Sequence, residues 1–234
     1  MRAERRFANG FQVGTSYTWS KSLGFTGENS GAAPSRVAIP YLYRLNYGLL
    51  SQDLRHNFQA TWVGELPFGT GKRWAKGGPL AQIVGGWQIN GLLSAYTGTP
   101  FTVSASDASL NAPGSSQFAD CIREPRRLND IREWYDKSTF VPVREARFGT
   151  CGVNSLSGPG LLNMDLGIDR KFQITERMEL RFRAEMFNVS NTPHHSNPID
   201  NVNSGNFMQA LDIRNTGREG IDERTFRVSL RLGW

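Results

Sequence analysis

His56, His194 and His195 are the three histidines of the chain. A metal centre would have to draw three or four such ligands together. His194 and His195 follow Pro193 in a stretch with no strand or helix periodicity, which reads as a turn. His56 stands among Asp53, Arg55 and Asn57 at the start of an alternating run, where a hydrogen bond at a rim is the expected role. Neither grouping predicts a metal site or a cofactor. No serine stands in a Gly-x-Ser-x-Gly setting, and no spacing pairs a nucleophile with a base, so no catalytic residue is expected. Gly69-Thr-Gly71-Lys72-Arg73 has the look of a phosphate loop. The first glycine of that motif would fall at position 66, which is leucine, and arginine stands where Ser or Thr is required. The segment reads as a turn.

Cys121 and Cys151 lie about 30 residues apart in one long polar stretch. In an oxidising, surface-exposed setting they would pair, and closing a loop of that size could stabilise the fold by about 3 kcal/mol. The alternative is two free thiols. Between them, residues 124–134 carry Arg126, Arg127 and Arg132, which fits a short helix or a ligand-facing patch.

The elements that must position these residues are strands. In residues 225–234, Phe226, Val228, Leu230, Leu232 and Trp234 alternate with Thr225, Arg227, Ser229, Arg231 and Gly233. Successive strand side chains face opposite sides, so this stretch has one apolar and one polar face. The pattern recurs at about 11–20, 54–68, 83–103, 162–172 and 178–189, giving about six long strands. Residues 41–47 could add a short strand or a docking patch. The connections run long, short, long, very short, long. Transmembrane β-barrels show this alternation of faces, about 9–11 residues per crossing, and the same sorting of loops from turns. The expected fold is all-β: an antiparallel, up-and-down transmembrane β-barrel segment, incomplete, with long extracellular loops and short periplasmic turns. Charges on strands four and five suggest a register in which Lys171 faces Glu179 and Asp169 faces Arg181. Trp19 at one end, and Phe68, Trp87, Phe172 and Trp234 at the other, suit interfacial girdles.

Bulk properties agree. No apolar run reaches about 18 residues, which excludes a transmembrane helix. A mean hydropathy of -0.43 is compatible with a barrel, because only alternate strand residues would face lipid. The net charge of +6 is spread through strands, at Arg181, Arg183, Arg227 and Arg231, rather than clustered, so no nucleic-acid partner is predicted. The first residues are charged and no apolar signal segment follows them, so an exported protein would need sequence upstream.

The strings Arg-Arg-Phe-Ala-Asn-Gly-Phe at 5–11, Ser-Tyr-Thr-Trp-Ser-Lys-Ser at 16–22 and Asp-Leu-Arg-His-Asn-Phe at 53–58 resemble Oar-like TonB-dependent receptors. So do Gly-Gly-Trp-Gln-Ile-Asn-Gly at 85–91, Tyr-Thr-Gly-Thr-Pro-Phe at 96–101 and Glu-Met-Phe-Asn-Val-Ser-Asn at 185–191. The likeness is weakest over about 104–158. It implies that residues 1–234 form the C-terminal part of a receptor barrel in the cell outer membrane, without plug or signal peptide. The function implied is TonB-energised uptake of a scarce solute, with no catalysis. The partners implied are outer-membrane lipid, the barrel-assembly machinery, the TonB complex through the missing plug, and an unidentified solute. In such proteins a C-terminal aromatic on an alternating strand resembles an assembly signal, which Phe226, Val228, Leu230, Leu232 and Trp234 match. Two other classes remain open: a soluble or secreted all-β binding module, carbohydrate-type, and a small pore shared by several copies.

Overall fold

A computed structural model describes residues 1–8, 10–25, 37–112, 114–214 and 223–234. Its main feature is one antiparallel sheet of seven strands in chain order. They are β1 (Arg2–Ala8), β2 (Phe11–Trp19), β3 (His56–Glu65), β4 (Trp87–Tyr96), β5 (Leu161–Gln173), β6 (Glu179–Phe187) and β7 (Thr225–Gly233). Each strand pairs with its predecessor and its successor, so the sheet is a meander. Among the described residues β1 pairs only with β2 and β7 only with β6, which leaves two free edges.

The register aligns side chains into rows that cross the sheet. One row runs Val228, Ala184, Ile168, Ile89, Gly64, Phe11; the next runs Phe226, Met186, Leu166, Gly91, Trp62, Val13. These rows make one face apolar. The intervening rows carry Arg227, Glu185, Asn90 and Gln12, or Ser229, Arg183, Asp169, Gln88 and Glu65. The alternation seen along each strand is therefore matched across strands, as period-two side chains require once the register is fixed.

Odd-numbered strands run from the long-loop end to the short-turn end, and even-numbered strands run back. At the short-turn end, Gly10 with φ +80 turns β1 into β2, and residues 174–178 join β5 to β6. At the other end the loops fold together into a cap. The pairs 104–105 with 117–118, 120–121 with 140–141, 127–130 with 133–135, and 100–101 with 156–157 form small sheets. The third loop joins them: the amide of Trp134 donates to the Met208 carbonyl (2.8 Å) and that of Val202 to the Ser104 carbonyl (2.9 Å). The first loop joins as well, with Asn154 Nδ2 donating to the Leu49 carbonyl at 2.6 Å. The cap has its own core, centred on Phe101, Val103, Ala119, Phe140, Phe207 and Met208. Residues 26–36 and 215–222 of the flanking loops lie outside the described residues.

The structure departs from the sequence reading in several places. The strand β1 was not expected, because Arg5 falls on the apolar face opposite Val13 and breaks the alternation. The stretch 83–103 is not one strand. Its start belongs to a short helix, α1 (Gly78–Val84), which Gly85 and Gly86 end before β4 begins. Residues 40–46 form a 3-10 helix rather than a strand. Residues 124–134 contain a β-hairpin and no helix. The β5–β6 register is shifted by two residues: Lys171 lies opposite Arg181 and Asp169 opposite Arg183. The expected ion pairs still form, diagonally, at 3.5 Å for Lys171–Glu179 and 3.2 Å for Arg181–Asp169. The expected register would also have set Asp165 against Glu185; in the structure Glu185 lies opposite Gly167. Asp165 instead accepts from the Asn188 amide and from Asn163 Nδ2, both at 2.9 Å.

Cap and sheet meet at three glycines. A Cβ on Gly98 would sit 1.9 Å from the Gly158 carbonyl oxygen, one on Gly160 2.7 Å from that of Tyr96, and one on Gly158 2.1 Å from Asn197 Oδ1. Because a backbone atom blocks position 98, Gly98→Ala must push the cap away from the rim. It should cost about 1–3 kcal/mol, read as a lower unfolding midpoint, with earlier protease cleavage within 97–160 than in β5–β7.

Candidate functional site

The apolar rows of the sheet lie bare. On β7, Phe226, Val228, Leu230 and Leu232 are 61, 68, 67 and 45% exposed, and Trp234 is 92% exposed. The tightly buried apolar side chains sit mostly in the loops instead. A chain folded in water would bury its strand faces and wet its loops. This distribution is inverted, and the apolar side needs a solvent of hydrocarbon.

Both ends of the bare band carry aromatic or polar anchors. At the short-turn end the Trp87 ring meets Phe182 edge-on, with centroids 5.7 Å apart, and Phe172 at 6.3 Å. Arg170, the one charge on the β5 apolar face, lies over both Phe172 (4.2 Å) and Trp87 (5.5 Å). Its guanidinium donates to the carbonyls of Gln82 and Ile83 at the end of α1. At the other end Trp19 is exposed, and the Tyr17 hydroxyl lies 2.7 Å from His56 Nδ1.

A family model described as an outer membrane beta barrel domain matches residues 1–225. The chain belongs to that family. No curated protein and no solved structure gives a significant match. The barrel domain is therefore a protein of the outer membrane, its bare face against lipid and its cap on the extracellular side.

The polar face of the barrel domain carries a mixed charge ladder near the periplasmic end. Lys171, Arg181 and Arg231 stand side by side on β5, β6 and β7. Asp169 and Glu179 answer two of them diagonally, and Arg183 pairs with Glu185 at 2.6 Å. Arg227 stands opposite Glu185 and lies over the Phe187 ring at 5.3 Å. Such a face suits water and polar partners.

The cap is held by two devices. Cys121 and Cys151 form a disulfide, with Cα atoms 5.1 Å apart and a separation of 30 residues. Beside it, Arg147 donates two parallel hydrogen bonds to the largely buried Asp120 carboxylate, at 2.9 and 2.7 Å, and the Thr150 amide adds a third at 3.0 Å. This bidentate pairing is a strong form of charged hydrogen bond. The Arg147 hydrogen bond, helped by Thr150, holds the Asp120 carboxyl below the ordinary carboxylate range. Ser138 lowers that of Asp136 in the same way.

The three histidines do not converge. His56 bonds to Tyr17, the buried His194 lies 3.1 Å by Nε2 from the Leu162 carbonyl, and His195 bridges to Ile213. Among the described residues no three His, Cys, Asp or Glu side chains gather as metal ligands do. Residues 69–74 form a turn closed by the Gly69 amide on the Trp74 carbonyl, with Lys72 paired to Glu65. Under the cap lies a cavity of about 830 Å³, at the extracellular ends of β3, β4 and β5. Arg55, Tyr96 and Arg127 reach its wall. No sequence signal marks this convergence: Arg127 is about 70 residues from Arg55, and only the folding of the loops brings them together.

The Asp120 pairing makes the cap acid-sensitive. Its folded pKa is depressed, so its stabilisation is present above the unfolded value of 3.8 and is lost as pH falls below it. Thermal unfolding followed by near-ultraviolet circular dichroism should show a midpoint that drops below pH 4 or so. Asp120→Asn should lower the midpoint at pH 7 and flatten its decline in acid.

Proposed function

We propose that this chain is the C-terminal barrel segment of a TonB-dependent outer-membrane receptor and takes part in the uptake of a scarce solute without catalysing a reaction. The observation that carries this reading is the sheet itself: one bare apolar face, one charged face, and all the long loops gathered into a folded cap at one end. The strings shared with Oar-like receptors add support by where they fall. Residues 16–22 end β2, 53–58 open β3, 85–91 open β4, 96–101 leave it, and 185–191 end β6. All lie at strand ends, where a barrel meets its loops and turns. The TonB complex would act through a plug, and the barrel-assembly machinery would read the last strand, with Phe226, Val228, Leu230, Leu232 and Trp234 on one side.

Strand parity weighs against a pore built from several copies. With seven strands in the sheet among the described residues, β1 and β7 run in the same direction. Setting the β7 of one copy beside the β1 of the next would make every junction parallel in an otherwise antiparallel sheet. Joining β7 to β7 would turn one copy upside down in the bilayer. Antiparallel closure instead calls for an odd number of further strands of different sequence, the arrangement expected of a segment within a larger barrel. A soluble carbohydrate-binding module is disfavoured by the same bare apolar rows, which a chain folded in water would cover.

Substitution at Leu230 tests the reading directly. Leu230→Arg should cost about 2–4 kcal/mol when the protein is folded in bilayers, as lipid-facing arginines near mid-depth do. In water an exposed leucine tolerates arginine within about 0.5 kcal/mol. A neutral result, or a protein that stays monodisperse without detergent, would overturn the membrane assignment and the transport reading with it.

A further inference from the structure

The cavity under the cap has a chemical character of its own. Two of its polar groups have no partner among the described residues: the Arg55 guanidinium and the Tyr96 hydroxyl. Arg55 Nε is buried without an acceptor. Tyr96 belongs to the polar face of the sheet, paired with Asn57, and Arg55 stands immediately before β3. A third group, Arg127, comes from the cap. Its guanidinium stacks 4.6 Å over the Trp134 ring and donates to the Gly158 carbonyl at 3.3 Å. Trp134 is itself pinned, with Nε1 donating to the Ser157 carbonyl at 2.9 Å. Arg127 is thus held in place before any ligand arrives.

The single carboxylate on the wall is that of Asp53. It is 2% exposed and accepts from the Ser22 amide at 2.6 Å, so it serves the loop and not the open space. Leu49, Pro100 and Leu161 supply apolar wall between the charged groups. Arg55 is only partly exposed, and a buried guanidinium N–H without an acceptor is costly; a bound carboxylate or phosphate that accepts from it removes that cost. The volume, about 830 Å³, matches sites for compact organic ligands and exceeds what a bare inorganic ion needs.

We propose that this cavity is a binding site for small organic anions with an apolar body, the anionic group seated between Arg55, Tyr96 and Arg127 and the body against Leu49, Pro100 and Leu161. The site gives a chemical class to the solute of the proposed receptor. It rests on that reading only for the side from which the ligand arrives.

The test uses the full chain in lipid nanodiscs, with empty nanodiscs as the blank, and equilibrium dialysis of 2-naphthoate against its neutral analogue 2-naphthylmethanol. The naphthoate should bind at least about tenfold more tightly, the usual effect of a charged hydrogen bond. Arg55→Gln should remove about tenfold of that preference while leaving 2-naphthylmethanol unchanged. Because the Arg55 side chain has no partner among the described residues, this variant should keep the Cys121–Cys151 disulfide and the wild-type unfolding midpoint. Tyr96→Phe should give a smaller loss with the same selectivity. Absence of naphthoate binding, equal binding of the alcohol, or an Arg55→Gln variant that binds as the wild type does would each overturn the site. None of these would touch the membrane assignment, which stands or falls on Leu230→Arg.

Discussion

A polypeptide that crosses hydrocarbon has no water to bond its amides and carbonyls, and each unsatisfied group costs several kcal/mol. That constraint shapes the sheet more than any side chain does. The β4–β5 pairing runs without a break from Leu161–Tyr96 to Arg170–Trp87, and β6–β7 from Glu179–Gly233 to Phe187–Thr225. With the backbone satisfied strand to strand, the side chains are left free to match two different surroundings. One row in two can be greasy and the next charged, and neither needs a packed interior.

The interior is elsewhere. Phe101, Val103, Phe140, Phe207 and Met208 make a compact core in loops that connect the strands, closed by a disulfide and by the Asp120–Arg147 pair. The chain therefore folds against two solvents. The sheet relies on paired backbone and on lipid, and the cap on ordinary burial in water. The three glycines at the rim let these two regimes touch without a gap. The cap is thus a built structure beside the sheet, and its cavity has walls drawn from both.

Strand order, face and loop sorting were legible because they depend on a period of two and on gross loop length. β7 shows this best, with Phe226, Val228, Leu230 and Leu232 all on the bare side. The strand β1 was hidden because Arg5 occupies an apolar row at a sheet edge. The β5–β6 register could not be read from charge, since diagonal neighbours satisfy Lys171–Glu179 and Arg181–Asp169 as well as direct ones do. Helix α1 was masked by the apolar Leu80, Ile83 and Val84 running into a true strand. The cap was illegible for a more general reason. Its contacts join residues far apart in the chain, such as Leu49 with Asn154 and Ile131 with Ala210, through backbone carbonyls that every sequence possesses.

Arg170 carries one more consequence. Its charge is fastened to the end of α1 and sandwiched by Phe172 and Trp87 at the inner boundary of the greasy band. A strand rises about 3.3 Å per residue, so sliding the sheet outward by even two residues would pull a cation and a helix terminus into oil. Sliding it inward would drown apolar rows in the aqueous compartment. The residue works as a waterline mark on a hull, setting how deep the barrel floats and keeping the cap at a constant height above the lipid headgroups.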